Sequence, residues 1–190
     1  EIGYIKISSF SNSTDIEFKK AIKNLLEKGM ESLILDLRFN GGGYLHQAIN
    51  IADEFLKKNK LIVYTEGAHS KKRTFFSSSK GLFENGKLII LVNSSTASAS
   101  EIVSGAIQDN DRGLILGRRT FGKGLVQQPL LLPDSSELRI TTSRYYTPSG
   151  KCIQKPYGDS IDYDNDLFDR IENGELTEID SSKKREFKGG

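Results

Sequence analysis

Two unbroken aliphatic runs, "SLILDLR" at residues 32–38 and "KLIILV" at residues 87–92, constrain this chain more than any other feature. Neither alternates polar with apolar residues, so a strand at either place is covered on both faces, as in a parallel sheet flanked by helices. Both fall far short of the roughly 20 residues of a membrane-spanning helix. Each run leads into a turn of small residues and then an apolar stripe at helical spacing. After "FNGGG" the stripe is Leu45, Ala48, Ile49, Ala52, Phe55 and Leu56; after "NSSTAS" it is Ile102, Val103, Ala106 and Ile107. Strand, tight turn, helix therefore recurs.

The rest of the chain extends the pattern. Residues 2–7 read as a first strand. Thr14 stands three residues before Glu17 in a capping-box arrangement, and Phe18, Ala21, Ile22, Leu25 and Leu26 keep helical spacing until Gly29. Strands are also expected at residues 61–65 and 113–117, with high β-propensity again at 138–146. The expected class is α/β. With 190 residues the chain can bury one sizeable core, assigned to a single domain over residues 1–156. Residues 157–190 are charged and weakly periodic, and read as a loop-like tail or a truncated part of the core. "HSKKRTFFSSSK" at 69–80 reads as a polar loop, with Phe75 and Phe76 placed either to line a peptide channel or to pack on the core.

Charge narrows the function classes. Lys and Arg (27) nearly balance Asp and Glu (25), and the basic residues are interspersed with acidic ones, so no nucleic-acid stripe is present in the sequence. A lone cysteine, Cys152, cannot form an internal disulfide.

The chemistry-bearing stretch is "NSSTASASEIVSGAIQDN" at residues 93–110. A serine in the first turn of the helix that follows has its oxygen near unpaired backbone N–H groups and the positive end of the helix dipole, a suitable setting for a nucleophile. Serine and threonine are also preferred helix caps, and small residues permit close packing. The local pattern leaves both roles open. A nucleophilic serine needs a base. The two histidines are the weaker candidates: His46 falls one turn into a helix and His69 lies in the polar loop, both in settings more typical of solvated or packing residues. Lys123, between Gly122 and Gly124 in "GRRTFGKGLVQQ", is the other candidate. Burial there would destabilise its ammonium and leave an amine able to accept a proton, whereas on the residues alone an ordinary surface-turn lysine is the favoured reading. Gly117, Gly122 and Lys123 also approximate a phosphate-binding loop, but Gly124 replaces the hydroxyl residue, and "LVQQPLLLP" is extended where a helix is required. No metal-binding H-E-x-x-H or cysteine cluster occurs, and no cofactor is expected.

Taken in order, "LILDLRFNGGG", "STASASEI", "TFGKGLVQQ" and "TTSRYYTPSGKCIQ" resemble the C-terminal processing, or tail-specific, serine peptidases over residues 2–154. The resemblance implies a crotonase- and Clp-protease-like fold of ββα units carrying a Ser/Lys dyad. Matched residue by residue, the nucleophile falls on Ser98, the general base on Lys123 and the glutamine that supports it on Gln127. The oxyanion donors fall on the N–H of Ala99 and on a loop glycine, Gly43 first and Gly42 next. The loop departs from the family in having Gly41 where a proline is usual. Protein or peptide substrates are implied, cleaved near their C-termini. So is a PDZ domain in the full-length protein, ahead of the segment that begins "IGYIKISSF". The tail after "CIQKPY" is similar to those of exported bacterial members, implying a periplasmic or envelope setting. A catalytically inactive binding domain on the same scaffold is the alternative.

Overall fold

The computed structural model describes residues 1–78, 81–156 and 165–174. Four strands, β1 (Ile2–Lys6), β2 (Ser32–Asp36), β5 (Lys87–Val92) and β6 (Leu114–Gly117), form an all-parallel sheet in the order β1-β2-β5-β6. Helices α1 (Thr14–Glu27), α2 (Leu45–Asp53) and α3 (Ala99–Asp109) lie on the connections between these strands. The second sheet is antiparallel, in the order β4-β3-β8-β7, from β3 (Leu61–Gly67), β4 (Ser70–Phe76), β7 (Leu125–Leu131) and β8 (Glu137–Tyr146). The chain is thus a mixed α/β protein, as its aliphatic runs require.

The two sheets meet through the helices. Leu35 and Ile90 of the parallel sheet, Ala48, Ile51 and Ala52 of α2, Val103, Ala106 and Ile107 of α3, and Ile62 and Val63 of β3 are all fully buried in one apolar cluster. Each large aliphatic side chain so buried contributes about 1.5–3 kcal/mol. Phe55, just past α2, sits edge-on between Phe18 and Phe83, with centroids 5.6 and 6.5 Å away. The short α2 therefore still delivers the apolar stripe that the sequence promised through Leu56, which is buried.

Three local expectations are corrected. Residues 70–76 are not loop but strand β4, an edge strand whose Lys71, Lys72 and Arg73 hid it from a propensity reading; charged edges discourage unwanted pairing. In it Phe75 packs on the core, whereas Phe76 stays exposed. The cap of α1 is Ser13, not Thr14: Ser13 Oγ donates to Glu17 at 2.6 Å, while Thr14 Oγ1 donates to the carbonyl of Ser9. Within the stretch read as a loop-like tail, Asp166–Glu172 is a seven-residue helix, α4.

Candidate active site

In an open parallel sheet the loops at the carboxyl ends of the strands gather at one edge, where ligand sites form. Here the segments following β2, β5 and β6 converge in this way, and backbone and buried polar groups tie them together. Asn40, fully buried, is the first junction. Its Nδ2 donates to the carbonyl of Ile7 at 2.8 Å and its Oδ1 accepts the N–H of Gly42 at 2.9 Å. Its carbonyl accepts the Ala97 N–H at 2.9 Å and the Ser100 hydroxyl at 3.1 Å. Thr96, also fully buried, adds a second tie by donating Oγ1 to the carbonyl of Leu37 at 2.9 Å.

Ser98 is the N-cap of α3, with φ 57° and ψ −115°. A non-glycine residue held at positive φ costs on the order of 1–3 kcal/mol, and such strain persists only where the surroundings fix it. The fixing groups are on either side: the Ala97 N–H on Asn40, and the Ser98 N–H donated at 2.7 Å to Oε2 of Glu101. Next to it, Ala99 opens the helix, so its N–H has no intrahelical partner. Gly42 lies against this elbow. A Cβ there would stand 2.7 Å from Ser98 Cβ and 3.0 Å from the Ala99 nitrogen, and φ is +102°. Glycine alone fits. Of the other serines, Ser100 is fully buried and tied to Asn40, Ser95 is exposed, and neither has this backbone.

Lys123 follows β6 on a loop that packs beside the elbow. Phe121 N–H donates to the Thr96 carbonyl at 2.9 Å, and Gly122 and Lys123 N–H donate to the Glu101 carboxylate at 2.6 and 2.9 Å. Oε2 of Glu101 thus accepts from both Ser98 and Lys123. Gly124 N–H donates to Oε1 of the buried Gln154 at 2.9 Å. Burial pushes the Glu101 carboxyl above its ordinary pKa, while the Thr120 side chain and the three backbone N–H groups pull it back. The Lys123 side chain itself is exposed, as a surface-turn lysine is and not in the buried setting also considered for it, because its loop turns the backbone, not the side chain, towards Glu101. Gln127 is exposed on edge strand β7, beside a bulge at Val126/Gln127, and makes no hydrogen bond to Lys123 in this structure. Gly43, with φ +146°, bridges to Phe10.

His46 and His69 are both exposed, the former beside Tyr44 and the latter in the β3–β4 turn. Strand β7, where a phosphate-binding loop would need a helix, excludes that reading of Gly117–Lys123. A concavity of about 640 Å³ opens on the antiparallel sheet, lined by Glu66, His69, Leu125, Ile140, Arg144 and Tyr146 among others. It includes neither Ser98 nor Lys123, so the candidate site rests on the loop junction. Asn40, Thr96, Glu101 and Gln154 were not singled out as site residues from sequence. Only Glu101 had a signal there, the S-x-x-E spacing from Ser98 that marks a capping box.

Comparison with known proteins gives this junction a context. The sequence model of peptidase family S41 matches residues 1–165. The carboxy-terminal-processing protease of Bartonella bacilliformis is 42% identical over 159 residues, covering 81% of this chain and 36% of that protein. The chloroplastic C-terminal processing peptidase of Tetradesmus obliquus is 36% identical over 155 residues, covering 82% and 33%. Among solved structures, the photosystem II D1 C-terminal processing protease superposes with a TM-score of 0.76 at 35% identity, over 80% of this chain and 39% of that one. The chain spans about a third of the length of the curated relatives it matches. Among the described residues, no helix is long and apolar enough to cross a membrane.

Proposed function

The chain belongs to peptidase family S41, and from that premise we propose that it is a serine endopeptidase with Ser98 as nucleophile and Lys123 as general base. The observation that carries the reading is the Glu101 junction: one carboxylate oxygen accepts the backbone N–H of both residues, while Ser98 occupies a strained elbow at a helix start. Acting as general base, Nζ of Lys123 takes the proton of Ser98 Oγ as the oxygen attacks the substrate carbonyl. The C–O bond forms, and the carbonyl electrons move to an oxyanion. Ala99 N–H is one donor to that oxyanion. Gly43 N–H is the other, preferred to Gly42, whose N–H already serves Asn40 Oδ1. The Lys123 ammonium returns the proton to the leaving amine, and water then hydrolyses the ester. Gln127 is assigned to orient Lys123 once substrate is bound. No cofactor enters these steps.

The relatives are named for carboxyl-terminal processing. We carry that over to this chain as cleavage of protein substrates near their C-termini in a bacterial periplasm or envelope, with terminus recognition assigned to a PDZ domain of the full-length protein. A fluorophosphonate probe tests the chemistry. Intact-mass analysis is expected to show one adduct on the wild type and on Ser94→Ala and Ser95→Ala, and none on Ser98→Ala. Labelling that survives Ser98→Ala moves the nucleophile elsewhere. A wild type that does not label rejects the peptidase reading in favour of a binding domain on this scaffold.

A further inference from the structure

Helix α4 carries one side chain that its position does not explain. Arg170 lies on a seven-residue helix, yet it is only 3% exposed. Its Nη1 donates to the carbonyls of Arg119 and Thr120, both at 3.1 Å, and its Nη2 reaches that of Phe121 at 3.5 Å. Asp166, one turn earlier, pairs with Nη2 at 2.8 Å and also with Lys155 at 3.4 Å. Lys155 in turn donates its N–H to the Gly122 carbonyl at 2.9 Å and lies over the Phe121 ring. Among the described residues, the Arg170 Nε–H has no partner. A buried cation with an unmatched donor costs stability, and an apolar side chain would dock a helix more cheaply. What an apolar side chain lacks is a rigid fork of donors for three successive carbonyls.

Those carbonyls belong to residues 119–121, immediately before the amides of Gly122 and Lys123 that Glu101 holds. A cation therefore grips the loop by its C=O groups and an anion grips it by its N–H groups. Together they set the peptide planes from which Lys123 projects. We propose that Arg170 is a positioning residue for Lys123, so that α4 belongs to the active-site machinery. This rests on the reading of Lys123 as the base.

The test combines two readouts on the intact chain. In Arg170→Ala, amide hydrogen exchange at Gly122 and Lys123 is expected to rise while exchange in α3 is unchanged, and the rate of fluorophosphonate labelling is expected to fall by about 100-fold, the scale of a misplaced catalytic group. Added guanidinium ion is expected to restore part of that rate in Arg170→Ala and to leave the wild-type rate unchanged. Arg170→Lys, which keeps the charge without the fork, is expected to fall between the two. Unchanged exchange at Gly122 and Lys123, or an unchanged labelling rate beside a labelled wild type, overturns the proposal. If the wild type does not label, the peptidase reading fails, and the exchange comparison alone then decides whether Arg170 holds this loop.

Discussion

Around Ser98 the chain is held by its core, and around Lys123 it is held by charge. The elbow sits between β5 and α3, where Val92, Ala97, Ala99, Ile102 and Val103 are all buried, and the strained backbone of Ser98 is locked against Gly42 and Asn40. The loop bearing Lys123 leads instead from the short β6 into β7, whose residues are half-buried or exposed. Its fixed points are the carboxylate of Glu101, the amide of Gln154 and the guanidinium of Arg170. Packing fixes the Ser98 elbow through many small contacts added to its backbone hydrogen bonds. Buried charged and polar groups fix the Lys123 loop through a few strong directional ones. One half should therefore respond to changes of volume and the other to changes of polarity.

Gly42→Ala attacks the packed half and should have a large effect. The added methyl falls on Ser98 Cβ and the Ala99 nitrogen at a positive φ, so the labelling rate should drop by about 10²–10³-fold, the range for loss of an oxyanion donor. A variant labelled at the wild-type rate would show that the elbow is not closed by this glycine.

Glu101→Gln attacks the junction by charge with little change of volume. The amide places an NH₂ group where one carboxylate oxygen accepts N–H donors, so either the Gly122 contact or the shared contact with Ser98 and Lys123 is lost. Labelling should slow by about 10–100-fold, with the α3 amides still protected from exchange. Equal loosening of α3 and the Lys123 loop would erase the distinction between the two regions.

Asp36→Asn sharpens the comparison through pH. Arg38, hydrogen-bonded through both its backbone N–H and its guanidinium, holds the Asp36 carboxyl well below the usual carboxylate range, and the Tyr4 hydroxyl assists at 2.7 Å. Because the folded-state value is depressed, this stabilisation is present above the unfolded value near 3.9 and is lost as pH falls towards the folded one. Urea midpoints of wild type and Asp36→Asn should differ at pH 7 and converge as pH is lowered below about 4. Parallel curves would refute the linkage.

The smallest effect is expected on the β7–β8 hairpin. Leu131 is 73% exposed, so Leu131→Ser should change stability by about 0.5 kcal/mol or less, whereas Leu35→Ala in the core should cost about 2–5 kcal/mol. A large loss at Leu131 would mean that the antiparallel sheet is packed more closely than its exposure indicates.

The same contrast explains what could be read in the sequence. The parallel sheet and its helices were legible because aliphatic runs and helical stripes record burial locally, as in residues 32–36 and the stripe from Leu45 to Leu56. Strand β4 was not, because an edge strand carries the charges of a loop. Helix α4 was not, because seven residues are too few to show a helical period, and its buried contact with the Lys123 loop is made by Arg170. In the site, the serine-rich turn before Ile102 pointed to a helix start able to hold either a cap or a nucleophile, and the family resemblance singled out Ser98. Asn40, Gln154 and Arg170 meet their partners across 30 or more residues of chain, and one sequence holds no local trace of such pairings.

The central claim is that the base in the charge-held half serves the nucleophile in the packed half. It is tested most directly by the rate of fluorophosphonate labelling of Ser98 in Lys123→Arg, measured beside the wild type and Lys123→Ala. Arginine keeps the positive charge but does not give up its proton, so both variants should label about 10²–10⁴-fold more slowly, the usual contribution of a general base. A Lys123→Arg variant that labels at the wild-type rate would contradict the account, because Lys123 would then act by charge alone.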